Sequence, residues 1–311
     1  MKRFFLLTLA SAALLGASAA PVKTYEVKSP DGRLALVLTA GERLSFTVAR
    51  DGETLVAPSE MALTLSTGEV LGESPRVRSA RRRAVTETID APLYRQSRFD
   101  AAYNELDLRL RGDYGILARA YDDGVCYRFY TERDGELTIV DETAQLNFEG
   151  DPSAYIPYSK TEIPMRTSFE NTYEYAPLSK FRTQTVAFMP VLVDLGERGY
   201  VLYTESDVEA YPGVYLTYDK EAKGFAARFA EYPTETSLTK RFQDVVERSA
   251  DYIARVDGRR SYPWRIVAYA ATATELPVND MVWQTAEASR VADASWVRDG
   301  KIAWDWWNNW G

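Results

Sequence analysis

The amino-acid sequence predicts an all-β fold, a large sandwich of antiparallel strands. From about residue 22 onward, apolar and polar residues alternate with a period of two, the spacing of half-buried strands. Turn-forming residues interrupt this alternation about every 8 to 12 residues. Tyr and Thr, which favour strands, are abundant, and convincing amphipathic helices are scarce. No repeat of fixed period is visible, so we expect neither a propeller nor a solenoid.

Alternation and turn signals predict the individual strands. Leu34, Leu36 and Leu38 fall on one face of a strand. Asp51-Gly52 lies between two alternating runs and predicts a hairpin, because Gly tolerates the positive φ that a type I′ turn requires. The stretch YNELDLRLRGDYGILARAYDDGVCYRFYT repeats this arrangement, with turns at GDYG and DDG. The runs GYVLYTESD, GVYLTYD and GFAARFAEY continue it.

The pattern changes near Pro277. The stretch ELPVNDMVWQTAE predicts a connector with some helical character. Beyond it, Asp299-Gly300 predicts a turn that leads into a buried strand, KIAWDWW. Pattern alone leaves two interpretations open: the strand begins a further domain, or it returns to close the sandwich.

The first 20 residues predict a signal peptide. Lys2 and Arg3 are followed by an apolar run over residues 4–15 and by the small residues Ala17-Ser18-Ala19. The run is shorter than the roughly 20 residues that cross a bilayer. An N-terminal core helix is the alternative. We therefore expect secretion, to the periplasm, and no membrane span in the mature chain.

Charge and composition exclude several classes of function. The formal net charge of −8 becomes −10 once Lys2 and Arg3 are removed. We expect no nucleic-acid partner, because such binding depends on Lys and Arg neutralising phosphates. The basic run RVRSARRR (76–83) is the exception, and we interpret it as a solvated strand edge or loop rather than an anion site. The sequence leaves the oligomeric state open.

The absence of histidine limits the chemistry further. Without histidine, neither a Ser-His-Asp triad nor a Cys-His pair can form, and a zinc site is not expected. Cys126, the single cysteine, lies in an apolar run and is interpreted as a small buried side chain. Acid–base chemistry would have to use carboxylates, tyrosine or lysine. A metal, if present, would be a hard cation bound by oxygen ligands.

Carboxylates placed among aromatic residues are the remaining candidates for a site. SFENTYEYAP contains Glu170 and Glu174, and YTESDVEAYPGVYL contains Glu205. Such groups from separate loops could coordinate calcium, or one could act as a general acid if burial raised its pKa. For each one separately, a solvated turn is the simpler interpretation.

The tryptophan-rich segment WDWWNNWG (304–311) suggests sugar binding. Indole rings stack on the apolar face of a pyranose, while Asp305 and the neighbouring amides can bond its hydroxyls. The alternative is that Trp304 and Trp306 pack in a core and only Trp307 faces outward, since neighbours in a strand point to opposite faces.

Several stretches together resemble glycoside hydrolase family 97, a family of exported α-glucosidases and α-galactosidases from Bacteroidetes-type bacteria. The resemblance extends in order from about residue 27 to 310. It is carried by seven stretches: the entry strands VKSPDGRLALVLTAGERLSFTVARDGETLVAPSEMALTL, then YNELDLRL, ARAYDDGVCYRFY, FENTYEY, YTESDVEAYPGVYL, YPWRIVAYA and SWVRDGKIAWDWWN.

This resemblance implies a domain organisation. After the signal peptide (1–20), residues 21–285 would form a β-super-sandwich. Residues 286–311 would be the linker and the truncated first strand of a (β/α)8 catalytic barrel. Asp305, Trp306 and Trp307 would then lie at the carboxy-terminal face of that barrel and contact substrate. The catalytic carboxylates of the family lie on later barrel strands, so none is assigned within residues 1–311.

The resemblance also implies a calcium ion. The sandwich domain of the family lends a glutamate to a calcium near the substrate, and FENTYEY is the matching stretch. Glu170 is the first candidate, Glu174 the second and Glu205 a weaker third. The remaining calcium ligands would belong to the missing barrel.

We therefore expect the amino-terminal part of a secreted, calcium-dependent α-glycosidase that acts on α-linked oligosaccharides. The fragment itself is expected to be inactive. The form AWDWWN slightly favours the retaining, α-galactosidase-like branch. The alternatives are a stand-alone carbohydrate-binding β-sandwich, with Trp306, Trp307 and Trp310 as its platform, and a structural domain without a ligand.

Overall fold

The computed structural model describes residues 22–91, 94–159, 165, 171–238, 244–298 and 300–303. These residues form an antiparallel β protein, as the sequence predicts. Its strands are β1 (Lys23–Lys28), β2 (Leu34–Ala40), β3 (Leu44–Arg50), β4 (Glu53–Leu65), β5 (Val70–Leu71), β6 (Val77–Asp90), β7 (Arg98–Leu110), β8 (Tyr114–Tyr121), β9 (Gly124–Asn147), β10 (Ser153–Ile156), β11 (Glu174–Pro177), β12 (Ala187–Phe188), β13 (Val191–Asp194), β14 (Tyr200–Ser206), β15 (Tyr215–Asp219), β16 (Gly224–Arg228), β17 (Pro233–Leu238), β18 (Asp244–Ser249), β19 (Ala254–Ser261) and β20 (Trp264–Ala270).

The strands form two layers. In the first layer, the order is β1–β2–β3–β4, then the carboxy-terminal part of β9, then β16–β15–β12. In the second layer, the order is β6–β7–β8, then the amino-terminal part of β9, then β20–β14–β13–β10–β11. The 24-residue strand β9 passes from one layer to the other and pairs with β19 in between.

The core lies between the layers and follows the predicted alternation. Leu36 and Leu38 of β2 are fully buried, and Leu106 and Leu108 of β7 face them from the other layer in the same apolar cluster. In strands such as β2 and β3 the alternate residues are only partly buried, whereas β20 is buried on both faces. Burial of apolar side chains on one face of each strand therefore sets the packing of the sandwich.

Local predictions from the sequence are confirmed at several turns and edges. Asp51 and Gly52 join β3 to β4 with φ of 50° and 89°, as a type I′ hairpin requires. The basic run falls on β6, which pairs only with β7 among the described strands and is largely exposed. Its arginines therefore line a solvated strand edge. Cys126 is buried, as expected.

A connector follows β20 and crosses the outer face of the second layer. It contains a 3-10 helix, Ala273–Val278, and a short helix, α1 (Met281–Thr285), in the stretch predicted to have helical character. Met281 is fully buried, and its sulfur lies against the backbone at Gly124, where a side chain would leave no room.

The ends of the chain lie outside the described residues. These include the predicted signal peptide and residues 304–311, so the domain boundaries and the barrel strand stay predictions. Residues 300–303 have no regular secondary structure. Within the described ranges, no helix has the length and apolar character needed to cross a bilayer.

Candidate functional site

Two of the predicted site groups lie outside the described residues. One is Glu170, the first calcium candidate, and the other is the predicted substrate-binding group Asp305, Trp306 and Trp307.

Glu174, the second calcium candidate, is the first residue of β11. Its carboxylate lies 2.6 Å from the guanidinium of Arg182, and both side chains are about half exposed. An exposed ion pair of this kind is replaced by solvent at little cost, so it leaves Glu174 able to exchange partners. Within the described ranges, no three acidic or cysteine side chains are grouped in a way that could hold a metal ion.

Glu205, the third calcium candidate, lies near the carboxy-terminal end of β14, and its side chain points toward the core. It accepts hydrogen bonds from Arg265 Nη1 at 2.5 Å and from the Val214 amide at 3.0 Å. Burial raises the pKa of this carboxyl, against the lowering effect of the Arg265 charge. Glu205 is therefore a member of a buried ion cluster, and the structure does not bring it together with Glu174 in a metal site.

Arg265 is the centre of that cluster, which the sequence analysis missed. Its side chain is 1% exposed and makes two further bonds, of 2.8 and 2.7 Å, to the carboxylate of buried Glu142. Burial by itself lowers the pKa of Arg265, but Glu142 and Glu205 outweigh it and hold the pKa well above its usual value. The sequence feature that could have indicated this cluster is an arginine within the apolar run WRIVAYA.

Three buried tyrosines belong to the same inner region of the sandwich. Burial raises the pKa of Tyr127, Tyr203 and Tyr211 far above the usual value. Burial therefore disfavours the charged form of all three hydroxyls. This polar cluster has the character of a buried structural element between the layers.

The outer face of the second layer is covered partly by arginines. The guanidinium groups of Arg119 and Arg128 lie 4.7 and 4.4 Å from the ring centre of Trp264, which is fully buried. Arg119 also bonds Glu105 at 2.9 Å, and Arg128 lies 3.4 Å from Asp207. These contacts cover the aromatic surface with the flat faces of charged side chains.

Polar contacts attach the connector to this face. Asp280 accepts hydrogen bonds from Arg95 at 2.6 Å and from the Tyr94 hydroxyl at 2.7 Å. Asn279 donates to Asp123 at 3.1 Å. Burial raises the pKa of Asp123 to about 6. The connector is therefore a fixed part of the sandwich surface and not a flexible tether.

Three carboxylates with a raised pKa accept hydrogen bonds from described neighbours. Asp123 accepts from Asn279, Glu205 from Arg265, and Asp207 from the Glu287 amide at 3.0 Å. Burial is the main cause of each raised pKa. Because each is already bonded, we assign no catalytic role to any of them.

Comparison with known proteins gives one family. Residues 27–287 match the family described as Glycosyl-hydrolase 97 N-terminal. A retaining α-galactosidase of Bacteroides thetaiotaomicron is 37% identical over 296 residues, which is 93% of this chain and 45% of that protein. A probable retaining α-galactosidase of Streptomyces bingchenggensis is 29% identical, over 89% of this chain and 39% of that protein. The chain thus spans less than half the length of these curated relatives.

Solved structures show the same fold. A glycoside hydrolase family 97 enzyme from Pseudoalteromonas sp. strain K8, in complex with acarbose, matches 91% of this chain and 41% of its own. Its TM-score is 0.75 at 16% sequence identity. A β-arabinopyranosidase matches 80% of this chain and 40% of its own, with a TM-score of 0.65 at 19% identity.

Proposed function

Because the chain belongs to glycoside hydrolase family 97, we propose that it is the amino-terminal part of an exported, calcium-dependent α-glycosidase. The substrate class is an α-linked oligosaccharide, with α-galactosides first and a retaining mechanism. The match of residues 27–287 to the family's amino-terminal domain carries the proposal. Both curated relatives are named as retaining α-galactosidases, which supports this choice of substrate and mechanism.

The connector supports the idea that a catalytic segment packs beside the sandwich. Trp296 and Ile302 are 76% and 85% exposed, and Val278, Val282 and Val291 are exposed as well. In the proposed enzyme, exposed apolar side chains on this segment are available for contact with a neighbouring domain. In the proposed enzyme, the barrel covers them and supplies the catalytic carboxylates.

Calcium in this proposal is held jointly by the two domains. Glu170 is the first candidate ligand and Glu174 the second, which would exchange Arg182 for the ion. The described residues do not by themselves fit a calcium ion, which takes six to eight oxygens. When bound, calcium would supply a positive charge near the scissile bond. The sandwich's part is to orient a carboxylate toward that ion.

Two measurements test the proposal. The 311-residue chain should show no turnover of nitrophenyl α-galactoside or α-glucoside, whereas the gene product extended through its downstream reading frame should hydrolyse one of them. Calorimetry should show only weak calcium binding by the 311-residue chain. Robust turnover by this chain, or sub-micromolar calcium affinity, contradicts the proposal.

The carbohydrate-binding module remains the rival proposal. Its platform of Trp306, Trp307 and Trp310 lies outside the described residues. Tight binding of maltooligosaccharides or galactosides that is lost in Trp307→Ala favours the module over the enzyme fragment.

A further inference from the structure

Three exposed tyrosines lie together at one edge of the second layer. Tyr155 belongs to β10, Tyr175 to β11, and Tyr173 stands just before β11. They are 39%, 54% and 45% exposed. Alternation places Tyr155 on the outer face, since its neighbours Ala154 and Ile156 are fully buried, and Tyr175 lies on the same face as its register partner. We call Tyr155, Tyr173 and Tyr175 the tyrosine platform.

The rings of the platform are held in place. Tyr155 and Tyr175 are direct partners in the β10–β11 register, and their ring centres are 4.6 Å apart at an angle of 42°. The Tyr175 hydroxyl donates to Asp194 at 2.9 Å, and the Tyr173 hydroxyl donates to the Pro190 carbonyl at 3.1 Å. Because the hydroxyls are anchored, the rings lose little freedom when a ligand packs against them.

Polar groups stand beside the exposed rings. Asp194 of β13 is the register partner of Ser153 in β10 and of Tyr200 in β14, so all three side chains lie on the platform's face. The other carboxylate oxygen of Asp194 accepts from the Gly196 amide at 2.9 Å. Asp194 is therefore a fixed acceptor whose remaining lone pairs can bond hydroxyl groups.

We propose that the tyrosine platform binds a pyranose ring of an oligosaccharide. A pyranose offers an apolar face of C–H groups to an aromatic ring and a rim of hydroxyls to nearby acceptors. The exposed ring faces meet the first requirement, and Asp194 with Ser153 meets the second. Only the choice of test sugars, α-galactosides and α-glucosides, depends on the proposed function.

The fold offers a matched control pair. Tyr232 and Tyr252 lie at the base of the β17–β18 ribbon, with ring centres 5.4 Å apart, and Tyr232 is 41% exposed. Tyr232 is thus as exposed as Tyr155 and also packs against a second tyrosine, but it lies on another part of the surface. Substitution of Tyr232 therefore removes an exposed tyrosine without touching the platform.

The test is calorimetric titration of the 311-residue chain with raffinose and with maltotriose. For a single stacking site, we expect saturable binding with a dissociation constant of about 1 mM for at least one sugar. Tyr175→Ala should weaken binding about tenfold or more, because the stacking surface is lost. Tyr175→Phe should weaken binding less than Tyr175→Ala, because the ring stays and only its bond to Asp194 is lost. Tyr232→Ala should bind like the parent chain.

Three outcomes overturn the proposal: no saturable binding of either sugar, unchanged binding in Tyr175→Ala, or equal loss in Tyr232→Ala. Circular dichroism of each variant checks that it is folded. Turnover by the extended gene product is measured separately, so a platform without sugar affinity and a protein without glycosidase activity are distinguishable results.

Discussion

Removing the charge of Arg265 should destabilise the sandwich strongly, and Arg265→Met is the sharpest test of the buried ion cluster. The guanidinium makes three charge-assisted hydrogen bonds, of 2.5, 2.7 and 2.8 Å, to Glu205 and Glu142. The side chain of Glu142 is 4% exposed, so its carboxylate would stay buried without a counter-charge. Breaking a buried pair in this way costs about 3–5 kcal/mol.

The loss of stability in Arg265→Met should depend on pH. In Arg265→Met, the pKa of Glu205 should rise further above its usual value, because burial already raises it and the charge of Arg265 no longer opposes burial. The variant should therefore lose more stability as pH rises through neutrality and less near pH 4, where the carboxyl takes up a proton. Urea unfolding of both proteins at pH 4.5 and 7.5 measures this difference.

Arg255→Met is the matched control for this experiment. Arg255 also pairs with a glutamate, Glu136, at 2.5 Å, but both side chains are about half exposed. Solvent replaces such a pair, so the free energy of unfolding should hardly change. A loss below about 1 kcal/mol in Arg265→Met at pH 7.5 would refute the view that the cluster depends on its central charge.

Three further substitutions test the connector. Gly124→Ala places a Cβ 2.8 Å from the Ala268 backbone and against Met281. Urea unfolding should therefore show a loss of about 1–3 kcal/mol in stability. Gly41→Ala is the control and should be near neutral, because the nearest atom to its Cβ is 3.5 Å away. Met281→Ala removes a fully buried side chain and should lower the free energy of unfolding by about 2–5 kcal/mol. Proteolysis within residues 273–303 should become faster. Unchanged proteolysis argues against a docked connector. Asp123 has its folded pKa raised to about 6, so its ionisation lowers stability as pH rises through that value. Asp123→Asn should therefore gain stability over the parent, on the order of 3 kcal/mol above pH 7 and little near pH 4; a pH-independent difference contradicts the assignment.

The sequence predicts the local elements well because their causes are local. The alternation of Leu34, Leu36 and Leu38 depends only on which face of one strand meets the core. The hairpin at Asp51-Gly52 depends only on the φ values that those two residues tolerate. The connector was likewise recognisable from its change in composition.

The ion cluster could not be predicted in the same way. Glu142 and Arg265 are 123 positions apart in the sequence, and their contact exists only because β9 crosses from one layer to the other. No pattern of period two specifies that crossing. The position of Glu205, the weakest calcium candidate, has a related cause: it lies at an inward position on β14, where it bonds Arg265.

The strand register relates the tyrosine platform to the connector. On the outer face, direct register partners run from Tyr175 to Tyr155, Leu192, Leu202, Ala268 and Gly124. Four strand spacings separate Tyr175 from Ala268, about 19 Å at the usual distance between strands. Helix α1 lies over the far end of this row, where Met281 meets Gly124. A sugar on the platform would therefore lie on the same face from which the proposed catalytic segment begins, and a ligand of several sugar units could contact both.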